Sequence, residues 1–384
     1  MNKVTVLLCA VLLLPAAGGL FAQSPDVTSS GDVAKAGMDP KRLTRIPARM
    51  KEFVDKGMIA GAVTLVARPG FTASVPRAQV TDDPICKPTL VPRARGRQIP
   101  DMDFDPRVVQ PAFPVGQGPR VLLDEAHASR HTVEGGYAPF VKVLRRDGFL
   151  VDPNRQKFSQ ETLSDVKILV VANARRGRNP EGNYIPSSSA FLRDEIEAVR
   201  QWVSGGGSLF LIVDHFPAAG GSSELARAFG ILLTDGYATD ATCGADEFLF
   251  SGSDGSLTGH SIVRGRNSNE RIDTVRTITG TAFRAVVPVW PLLILAPGSV
   301  ILMPTEPWQF ATSTPRFPGE GMLQGAALTF GRGRVVVFGE AAMFSAQVSG
   351  TQRRPMGMNQ PTAGQNMQFL LNVVHWLSGL LPEK

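Results

Sequence analysis

Four short apolar segments, each followed at once by polar residues, constrain the fold of this chain more than any other feature. They cover residues 121–123, 168–171, 209–213 and 335–338. A strand inside a parallel sheet is covered on both faces, so it appears in a sequence as a continuous apolar run. We therefore predict an α/β fold with a mostly parallel sheet, in which any functional site lies beyond the carboxyl ends of the strands.

Segments with helical periodicity follow the predicted strands. Apolar residues recur at helical spacing over residues 137–144 and 192–203, and a last helix is predicted over about 362–379. Ser222 and Ser223 are suitable caps for a short helix after the third apolar segment. This alternation of strands and helices is typical of a doubly wound sheet.

Residues 236–320 interrupt this alternation. Their short apolar runs are punctuated by proline, which predicts a β-rich insertion. After the insertion, Gly331-Arg332-Gly333 separates two apolar runs and predicts a hairpin.

The first 22 residues have the pattern of a signal peptide. Lys3 precedes an apolar core over residues 4–14, and Ala22 is a small residue at a suitable cleavage point. The apolar core is too short to span a bilayer, and no later segment is long and apolar enough to do so. We therefore expect a periplasmic or secreted protein with no transmembrane segment after the signal is removed.

Two further segments precede the main predicted domain at residues 118–384. Residues 23–70 contain a predicted helix and strand, and residues 71–117 are rich in Pro, Arg and Asp, which is typical of a linker. Cys86 and Cys243 could pair in an oxidising compartment or remain free thiols, because their spacing does not fix the geometry.

The charge distribution favours no nucleic-acid partner. The chain has 384 residues and a formal net charge of +6, but its basic residues are scattered and no nucleic-acid-binding motif is present. Residues 124–127 read Asp-Glu-Ala-His, as in the Walker B box of helicases. The phosphate-binding loop that nucleotide hydrolysis also needs is missing, so we do not expect that activity.

A short N-terminal segment resembles the serine β-lactamase and penicillin-binding-protein-like hydrolases. The resemblance covers about thirty residues, MDPKRLTRIPARMKEFVDKGMIAGAVTLVARPG. That family needs a Ser-x-x-Lys nucleophile motif at the start of a buried helix. The one such motif here, at residues 164–167, leads into a predicted strand. The resemblance therefore implies a fragment of that fold without its catalysis.

The main domain carries a more extensive resemblance, in segments that together span nearly all of residues 118–384. The segments are LLDEAHASRHT, YAPFVKVLRRDGF, VRQWVSGGGSLFLIVDHFP, GRGRVVVFGEAAMFSAQ and MGMNQPTAGQNMQFLLNVVHWL. Through them the chain resembles the class I glutamine amidotransferase-like superfamily, and within it an uncharacterised family of exported bacterial proteins, a domain of unknown function. The resemblance implies a flavodoxin-like, three-layer α/β sandwich and no established activity.

The chain departs from true amidotransferases at the nucleophile. Those enzymes place a Cys on a sharp turn after the third strand, with a His and a Glu downstream. Here we expect that turn at Asp214-His215-Phe216-Pro217, which has no Cys, and Glu340 has no His directly before it. Glutaminase chemistry through a Cys nucleophile is therefore not expected.

Five polar residues at the predicted strand ends are candidate catalytic residues: Asp124, His127, Asp214, His215 and Glu340. A buried carboxyl group beside His215 could perform acid–base chemistry. Asp124, His127 and His215 are also candidate ligands of a divalent metal such as Zn²⁺. The alternative is that Asp124 and Asp214 cap the following helices and that no cofactor is bound.

Three further residues are candidate ligand-binding residues: Asn173, His131 and Asn359. Their side chains could orient a carbohydrate or another polar small molecule, although Asn is also common in turns. Aromatic residues could supply a stacking surface for a sugar ring or belong to the core. These aromatic residues are Trp290, Trp308 and Phe310.

The sequence thus favours an extracytoplasmic amidotransferase-like domain that binds a ligand or has a structural role. The first alternative is a hydrolase that uses the Asp and His residues at the sheet edge, with or without a metal. The second is a β-lactamase-related hydrolase, which the missing nucleophile disfavours.

Overall fold

The computed structural model describes residues 65–68, 71–74, 98–177, 187–240, 247–311 and 313–384. Contacts divide the chain into two units, Met1–Ile85 and Cys86–Lys384. In the first unit, strands β1 (Leu65–Arg68) and β2 (Phe71–Ser74) form an antiparallel pair. The predicted signal peptide, the predicted N-terminal helix and both Cys86 and Cys243 lie outside the described residues.

The second unit alternates strands and helices before a long β-rich stretch. Its strands are β3 (Gln98–Pro100), β4 (Arg120–Asp124), β5 (Leu150–Asn154), β6 (Ile168–Ala172), β7 (Ser208–Ile212), β8 (Ile231–Leu233), β9 (Tyr237–Asp240), β10 (Phe248–Ser251), β11 (Thr274–Thr277), β12 (Phe283–Ala285), β13 (Trp290–Ile294), β14 (Ser299–Leu302), β15 (Arg316–Pro318), β16 (Leu323–Phe330), β17 (Gly333–Phe338), β18 (Ala346–Ser349) and β19 (Arg354–Gly357). Its α-helices are α1 (Ala138–Arg146), α2 (Arg193–Ser204), α3 (Ala218–Arg227), α4 (Ser261–Arg264) and α5 (Asn366–Ser378). Among the described residues, no helix has the length and apolar character needed to cross a membrane.

A large mixed sheet forms the centre of this unit. Its strand order is β5-β4-β6-β7-β17-β16-β12-β8, and β13 also pairs with β16. The pairs from β5 to β17 are parallel, and the remaining pairs are antiparallel. The prediction of an α/β fold with parallel strands is confirmed. Because β4, β6, β7 and β17 are neighbours, the polar residues that follow them reach the same edge.

Alternate residues of the parallel strands face two separate cores. Leu123 and Val170 lie in one core with the apolar residues of α1 and α5, whereas Leu122 and Val171 lie in the other with those of α2 and α3. Helices therefore cover both faces of the sheet. This explains why the strands are apolar throughout, since each side chain on either face is buried.

The edge strand β5 was not predicted from the sequence. Its residues, Leu-Val-Asp-Pro-Asn, lack a continuous apolar run, and its carbonyl and amide groups pair only with β4 among the described strands. Asp152 is exposed enough to accept a hydrogen bond from Arg120 at 2.8 Å. An edge position tolerates Pro153, because a proline there removes no hydrogen bond from an inner ladder.

Helix α3 begins earlier than predicted. It starts at Ala218, so Ser222 and Ser223 lie inside the helix and do not cap it. Ser222 is fully buried, and the Ser223 hydroxyl donates to the carbonyl of Ala219 at 2.8 Å. The first turn can lie directly on the chain after β6 because Gly221 has no side chain: a Cβ there would lie 2.6 Å from the carbonyl oxygen of Ala174.

The β-rich region contributes strands to the central sheet and forms small sheets of its own. Strands β12 and β13 join the central sheet, while β9, β14 and β15 form a three-stranded sheet and β10 pairs with β11. The predicted hairpin connects β16 and β17, with Phe330 opposite Gly333. Gly331 in its turn has a φ of +60°, a conformation that favours glycine.

Part of the predicted linker packs on the second unit. Strand β3 pairs with β18, which also pairs with β19. Nearer the main domain, the backbone amide of Ala112 donates to the carboxylate of Asp147 at 2.8 Å, and that of Gly118 donates to the carbonyl of Gly148 at 2.9 Å. Residues 98–117 are thus structurally continuous with the domain that was predicted to begin at residue 118.

Candidate functional site

The first group at the carboxyl edge of the sheet is a buried cluster of Asp124, His127 and Glu195, here called the His127 cluster. The Nδ1 atom of His127 lies 2.9 Å from both carboxylate oxygens of Asp124. Its Nε2 atom lies 3.0 Å from Oε1 of Glu195. Both ring nitrogens are therefore engaged within the protein.

Helix α2 determines the position of Glu195. The Glu195 carboxylate accepts hydrogen bonds from the backbone amides of Leu192 and Phe158 at 2.9 and 3.2 Å, which caps the first turn of the helix. The rings of Phe158 and Phe191 pack on the His127 imidazole, with centroids 4.9 and 4.5 Å away. The cluster thus joins the loop after β4 to the start of α2 and is shielded from ligands.

Burial and charge pairing both affect the pKa values of this cluster. Burial raises the pKa of Asp124. At His127, burial opposes the charged form, but the carboxylates of Asp124 and Glu195 outweigh it and raise the pKa. Both shifts favour the protonated forms of Asp124 and His127.

The second group, here called the edge cluster, consists of His131, Tyr137, Asp214 and Glu340. Glu340 is fully buried, and its two oxygens accept hydrogen bonds from the backbone amides of Ala342 and Met343 at 2.6 and 2.7 Å. Burial and then the charge of Asp214 raise the pKa of Glu340 well above its usual value.

Tyr137 and Asp214 lie close enough to Glu340 to interact with it electrostatically. The Tyr137 hydroxyl donates to the carbonyl of Ala341 at 2.9 Å. Burial raises the pKa of Tyr137 far above its usual value, and the charges of Glu340 and Asp214 add to this effect. Tyr137 therefore remains a neutral hydrogen-bond donor beside the two carboxyl groups.

His215 lies at the partly exposed margin of the edge cluster. Its backbone amide donates to Oδ1 of Asp214 at 2.8 Å, and its Nε2 atom is 3.4 Å from the same oxygen. Its Nδ1 atom lies 2.9 Å from the carbonyl oxygen of Phe216. The predicted pairing of Asp214 with His215 is therefore present, whereas Asp124 and His127 belong to the separate His127 cluster.

Aromatic rings surround His215. Trp308 packs edge-on against the His215 ring at 4.6 Å, and Phe216 and Tyr237 are also within ring-contact distance. Trp308 is 43% exposed. Phe310 packs on Phe216 and Tyr237, while Trp290 lies elsewhere, against His260 and Trp376.

Four buried polar atoms near this edge have no hydrogen-bond partner among the described residues. They are Nδ1 of His131, Oδ1 of Asn173, Nε of Arg175 and Oγ of Ser222. In the part of the chain that the structure describes, the one other such atom is Nδ1 of His375. Buried polar atoms are costly when unpaired, so a cluster of them indicates a place where a ligand or ordered water binds.

Hydrogen bonds and close packing connect the segments that carry these residues. The Ser129 hydroxyl donates to the carbonyl of Ala172 at 2.5 Å and accepts from the backbone amide of His131 at 2.9 Å, which ties the loop after β4 to the end of β6. Asn173 follows directly, with a φ of +50°, a value that non-glycine residues seldom adopt. Because Gly221 packs on Ala174, Ser222 lies close to the same loop.

Burial and nearby charges together set the pKa of His131. Its Nδ1 atom is buried although the residue as a whole is partly exposed. Burial lowers the pKa of His131 to about 4; Asp214 opposes this shift, whereas Arg175 and Arg130 add to it. His131 is therefore neutral at pH 7 and can either donate or accept a hydrogen bond.

Asn359 has a different environment from the other predicted ligand-binding residues. Its amide nitrogen donates to Asp101 and to the carbonyl of Gln347, both at 2.9 Å. Its amide oxygen accepts from the backbone amide of Met356 at 3.1 Å. These bonds connect the loop after β19 to β18 and to the chain after β3, which is a structural role.

The predicted metal ligands are not arranged as a metal centre. Across the described ranges, no group of three or more His, Cys, Asp or Glu side chains has a geometry that would hold a metal ion. His127 in particular has both nitrogens bound to carboxylates. The Ser-x-x-Lys motif is likewise dispersed, because Ser164 donates to the carbonyl of Glu161 and Lys167 donates to that of Gly206.

The added strand β5 changes the position expected for an amidotransferase nucleophile. With β5 present, β7 is the fourth parallel strand along the chain, and β6 is the third. The turn after the third strand therefore contains Ala172-Asn173-Ala174 and not Asp214-His215. Neither turn contains a Cys, so the expectation of no Cys nucleophile there is unchanged.

The sequence did not indicate four residues of these groups as site residues: Tyr137, Glu195, Arg175 and Ser222. Glu195 carried one usable signal, since a Glu at the third position of a helix often caps the first turn. Arg175 lies four residues after the predicted strand over 168–171, close to the ligand-binding edge. Ser222 gave no such signal, because a Ser after an apolar segment is also a common helix cap.

No family model and no curated protein match this chain. Solved structures do, at low identity. The mmIFT52 N-terminal domain is 15% identical, with 67% of this chain and 97% of that chain covered and a TM-score of 0.45. A ThuA-like protein from Bacteroides uniformis is 12% identical, with 68% of this chain and 92% of that chain covered and a TM-score of 0.38. A ThuA-like protein from Parabacteroides merdae is 13% identical, with 70% of this chain and 93% of that chain covered and the same TM-score of 0.38. These similarities carry no functional assignment.

Proposed function

We propose that this chain is an extracytoplasmic domain of the class I glutamine amidotransferase-like type, with a flavodoxin-like sheet, that binds a carbohydrate or another polar small molecule without a Cys nucleophile. The sequence resemblance over residues 118–384 supports the class. The parallel strand order β5-β4-β6-β7-β17 supports the sheet type, since flavodoxin-like sheets have the order 2-1-3-4-5.

The observation that carries the binding proposal is the group of four unpaired polar atoms. His131, Asn173, Arg175 and Ser222 present donors and acceptors beyond the carboxyl ends of β4 and β6 and on α3. In open α/β sheets this edge is where ligands bind. A ligand with several hydroxyl groups would satisfy these atoms and remove the cost of leaving them unpaired.

The partly exposed ring of Trp308 favours a carbohydrate among polar ligands. The ring lies against His215, which contacts Asp214. Sugars combine an apolar ring face, which stacks on aromatic side chains, with hydroxyl groups that bind carboxylates and amides. The edge offers both kinds of contact.

Calorimetric titration with a panel of neutral and acidic mono- and oligosaccharides tests this proposal. We expect saturable binding to the wild-type protein and an affinity about tenfold lower in Asn173→Ala, which removes one polar contact. Asn269→Ala, at an exposed Asn, is the matched control and should bind as the wild type does. If no sugar binds the wild type, or both variants bind equally well, the proposed function is wrong.

A hydrolase is the second candidate, because Glu340 has a raised pKa beside Asp214 and His215 is adjacent. Two carboxyl groups with different proton affinities can serve as acid and base. Turnover of chromogenic glycosides and esters that is lost in Asp214→Asn would support it. Elemental mass spectrometry of the wild type and His215→Ala tests the version of this proposal that uses a divalent metal.

Export is proposed from residues 1–22 alone. Amino-terminal sequencing of the protein recovered from the periplasm or the medium tests it. A mature chain that starts just after Ala22 is expected, and an uncleaved chain in the cytoplasm would contradict export.

A further inference from the structure

Arg175 is a partly buried arginine with no acidic partner among the described residues. Seven other arginines form ion pairs with carboxylates: Arg120, Arg146, Arg155, Arg200, Arg266, Arg271 and Arg276. Among the described residues, neither Arg175 nor its neighbour in space Arg130 has such a pair. Arg175 nevertheless lies partly buried, where an unpaired charge costs most.

The guanidinium of Arg175 is held in place but not satisfied. Its backbone amide donates to the carbonyl of His127 at 2.9 Å, which fixes the residue against the loop after β4. Among the described residues, its side chain makes one hydrogen bond, a long one from Nη2 to the carbonyl of Ala128 at 3.4 Å. Its Nε atom is buried without a partner. A planar guanidinium with free donors is well suited to a carboxylate.

A second positive charge strengthens the local field. Arg130 is exposed and lies close enough to Arg175 for the two positive charges to repel each other. The pKa of Arg175 is lowered, first by burial and then by the charge of Arg130. An anion bound between Arg175 and Arg130 would offset the cost of burying the Arg175 charge and reduce the repulsion between the two cations. Asp214 is a nearby negative charge, because it raises the pKa of His131 while the two arginines lower it.

We propose that the ligand of this edge is an acidic sugar of the uronic acid type, whose carboxylate binds Arg175 and Arg130 and whose hydroxyl groups bind Asn173, His131 and Asp214. This inference rests on the proposed function and narrows its ligand class. The arginines select the carboxylate, since a neutral sugar would leave both cations without a counter-charge. The negative charge of Asp214 disfavours a ligand with a second carboxylate close to it.

Calorimetry with the full-length protein tests the inference by comparing glucuronate with glucose, which lacks the carboxylate. We expect glucuronate to bind the wild type about tenfold more tightly than glucose, as one charge-assisted contact predicts. Arg175→Gln should weaken glucuronate binding more than glucose binding and so remove most of this difference, and Arg175→Lys should restore part of it. Arg176→Gln, at the exposed neighbouring position, should behave as the wild type does.

The outcomes separate the two proposals. Equal binding of glucuronate and glucose by the wild type overturns the inference and leaves the proposed function standing. Unchanged glucuronate binding in Arg175→Gln also overturns the inference. The comparison of glucuronate with glucose on the wild type does not depend on the variants, so it still tests the inference if a variant does not fold. If succinate, a carboxylate without a sugar ring, binds as tightly as glucuronate, the proposal that the ligand is a sugar is wrong. Binding of none of these compounds overturns both proposals.

Discussion

The Nε2 atom of His127 lies 3.0 Å from Oε1 of Glu195, although 68 residues separate the two in the sequence. This contact directs His127 into the protein and away from the open part of the sheet edge. Asp124 and His127, two of the candidate site residues, therefore contact each other within a buried cluster. The region left for a ligand is the one that contains Asn173, Arg175 and Asp214.

Replacement of His127 should destabilise the protein strongly. His127→Leu leaves the carboxylates of Asp124 and Glu195 buried without their shared partner, which costs about 3 kcal/mol or more of unfolding free energy. Urea denaturation measures the change. His215→Leu, at a partly exposed position, is the control and should cost about 1 kcal/mol or less. Equal losses in the two variants would contradict the structural role of His127.

Stability should fall in mildly acidic solution because His131 stays neutral when folded. Its pKa is about 4 in the folded protein against 6.5 for an ordinary imidazole. As the pH falls from 6.5 to 4, the unfolded chain therefore binds a proton that the folded protein does not, and the contribution to stability, complete above pH 6.5, is lost.

Denaturation of the wild type and His131→Asn across this pH range measures the effect. The wild type should lose more stability than the variant between pH 6.5 and 4. The other buried imidazole with a pKa of about 4, His260, contributes equally to both proteins and cancels in the comparison. Parallel curves would contradict the neutral state of His131.

The close approach of α3 to the loop after β6 should couple helix packing to ligand binding. Gly221→Ala places a methyl group 2.6 Å from the carbonyl oxygen of Ala174, so the loop that carries Asn173 and Arg175 must shift. We expect a loss of about 1–3 kcal/mol in stability and weaker sugar binding. Gly259→Ala, which meets no atom within 4 Å, is the control. Unchanged binding in Gly221→Ala would argue against this loop as part of the site.

Asn359 should matter for stability and not for binding. Asn359→Ala removes hydrogen bonds to Asp101, Gln347 and Met356 in a partly buried position, at a cost of about 1–2 kcal/mol. Thermal denaturation and sugar titration of the same variant check both parts. A large loss of affinity in a folded Asn359→Ala protein would return this residue to the binding site.

The inner strands could be predicted from the sequence because the sheet buries both of their faces. Strands β4, β6, β7 and β17 coincide with the four apolar segments to within two residues at either end. Strand β5 could not, since its edge position allows Asp152 and Pro153 and so removes the apolar signal. The start of α3 was misplaced because the Gly221 contact that permits it involves Ala174, a residue distant in sequence.

The candidate site could be placed at the correct edge but not assembled from the sequence. Asp214, His215 and Glu340 were predicted from their positions at strand ends, and the structure does bring Asp214 close to both. The separation of His127 from them depends on Glu195, whose contribution comes from the packing of α2. Unpaired atoms such as Nε of Arg175 are visible only once every other hydrogen bond is known.

A crystal structure of the protein soaked with glucuronate is the strongest test of sugar binding at this edge, because it locates the ligand and its contacts together. We expect electron density for the sugar at His131, Asn173 and Arg175, with its carboxylate on the Arg175 guanidinium. Ordered water alone on these atoms, in crystals where the sugar is absent or bound elsewhere, would contradict it.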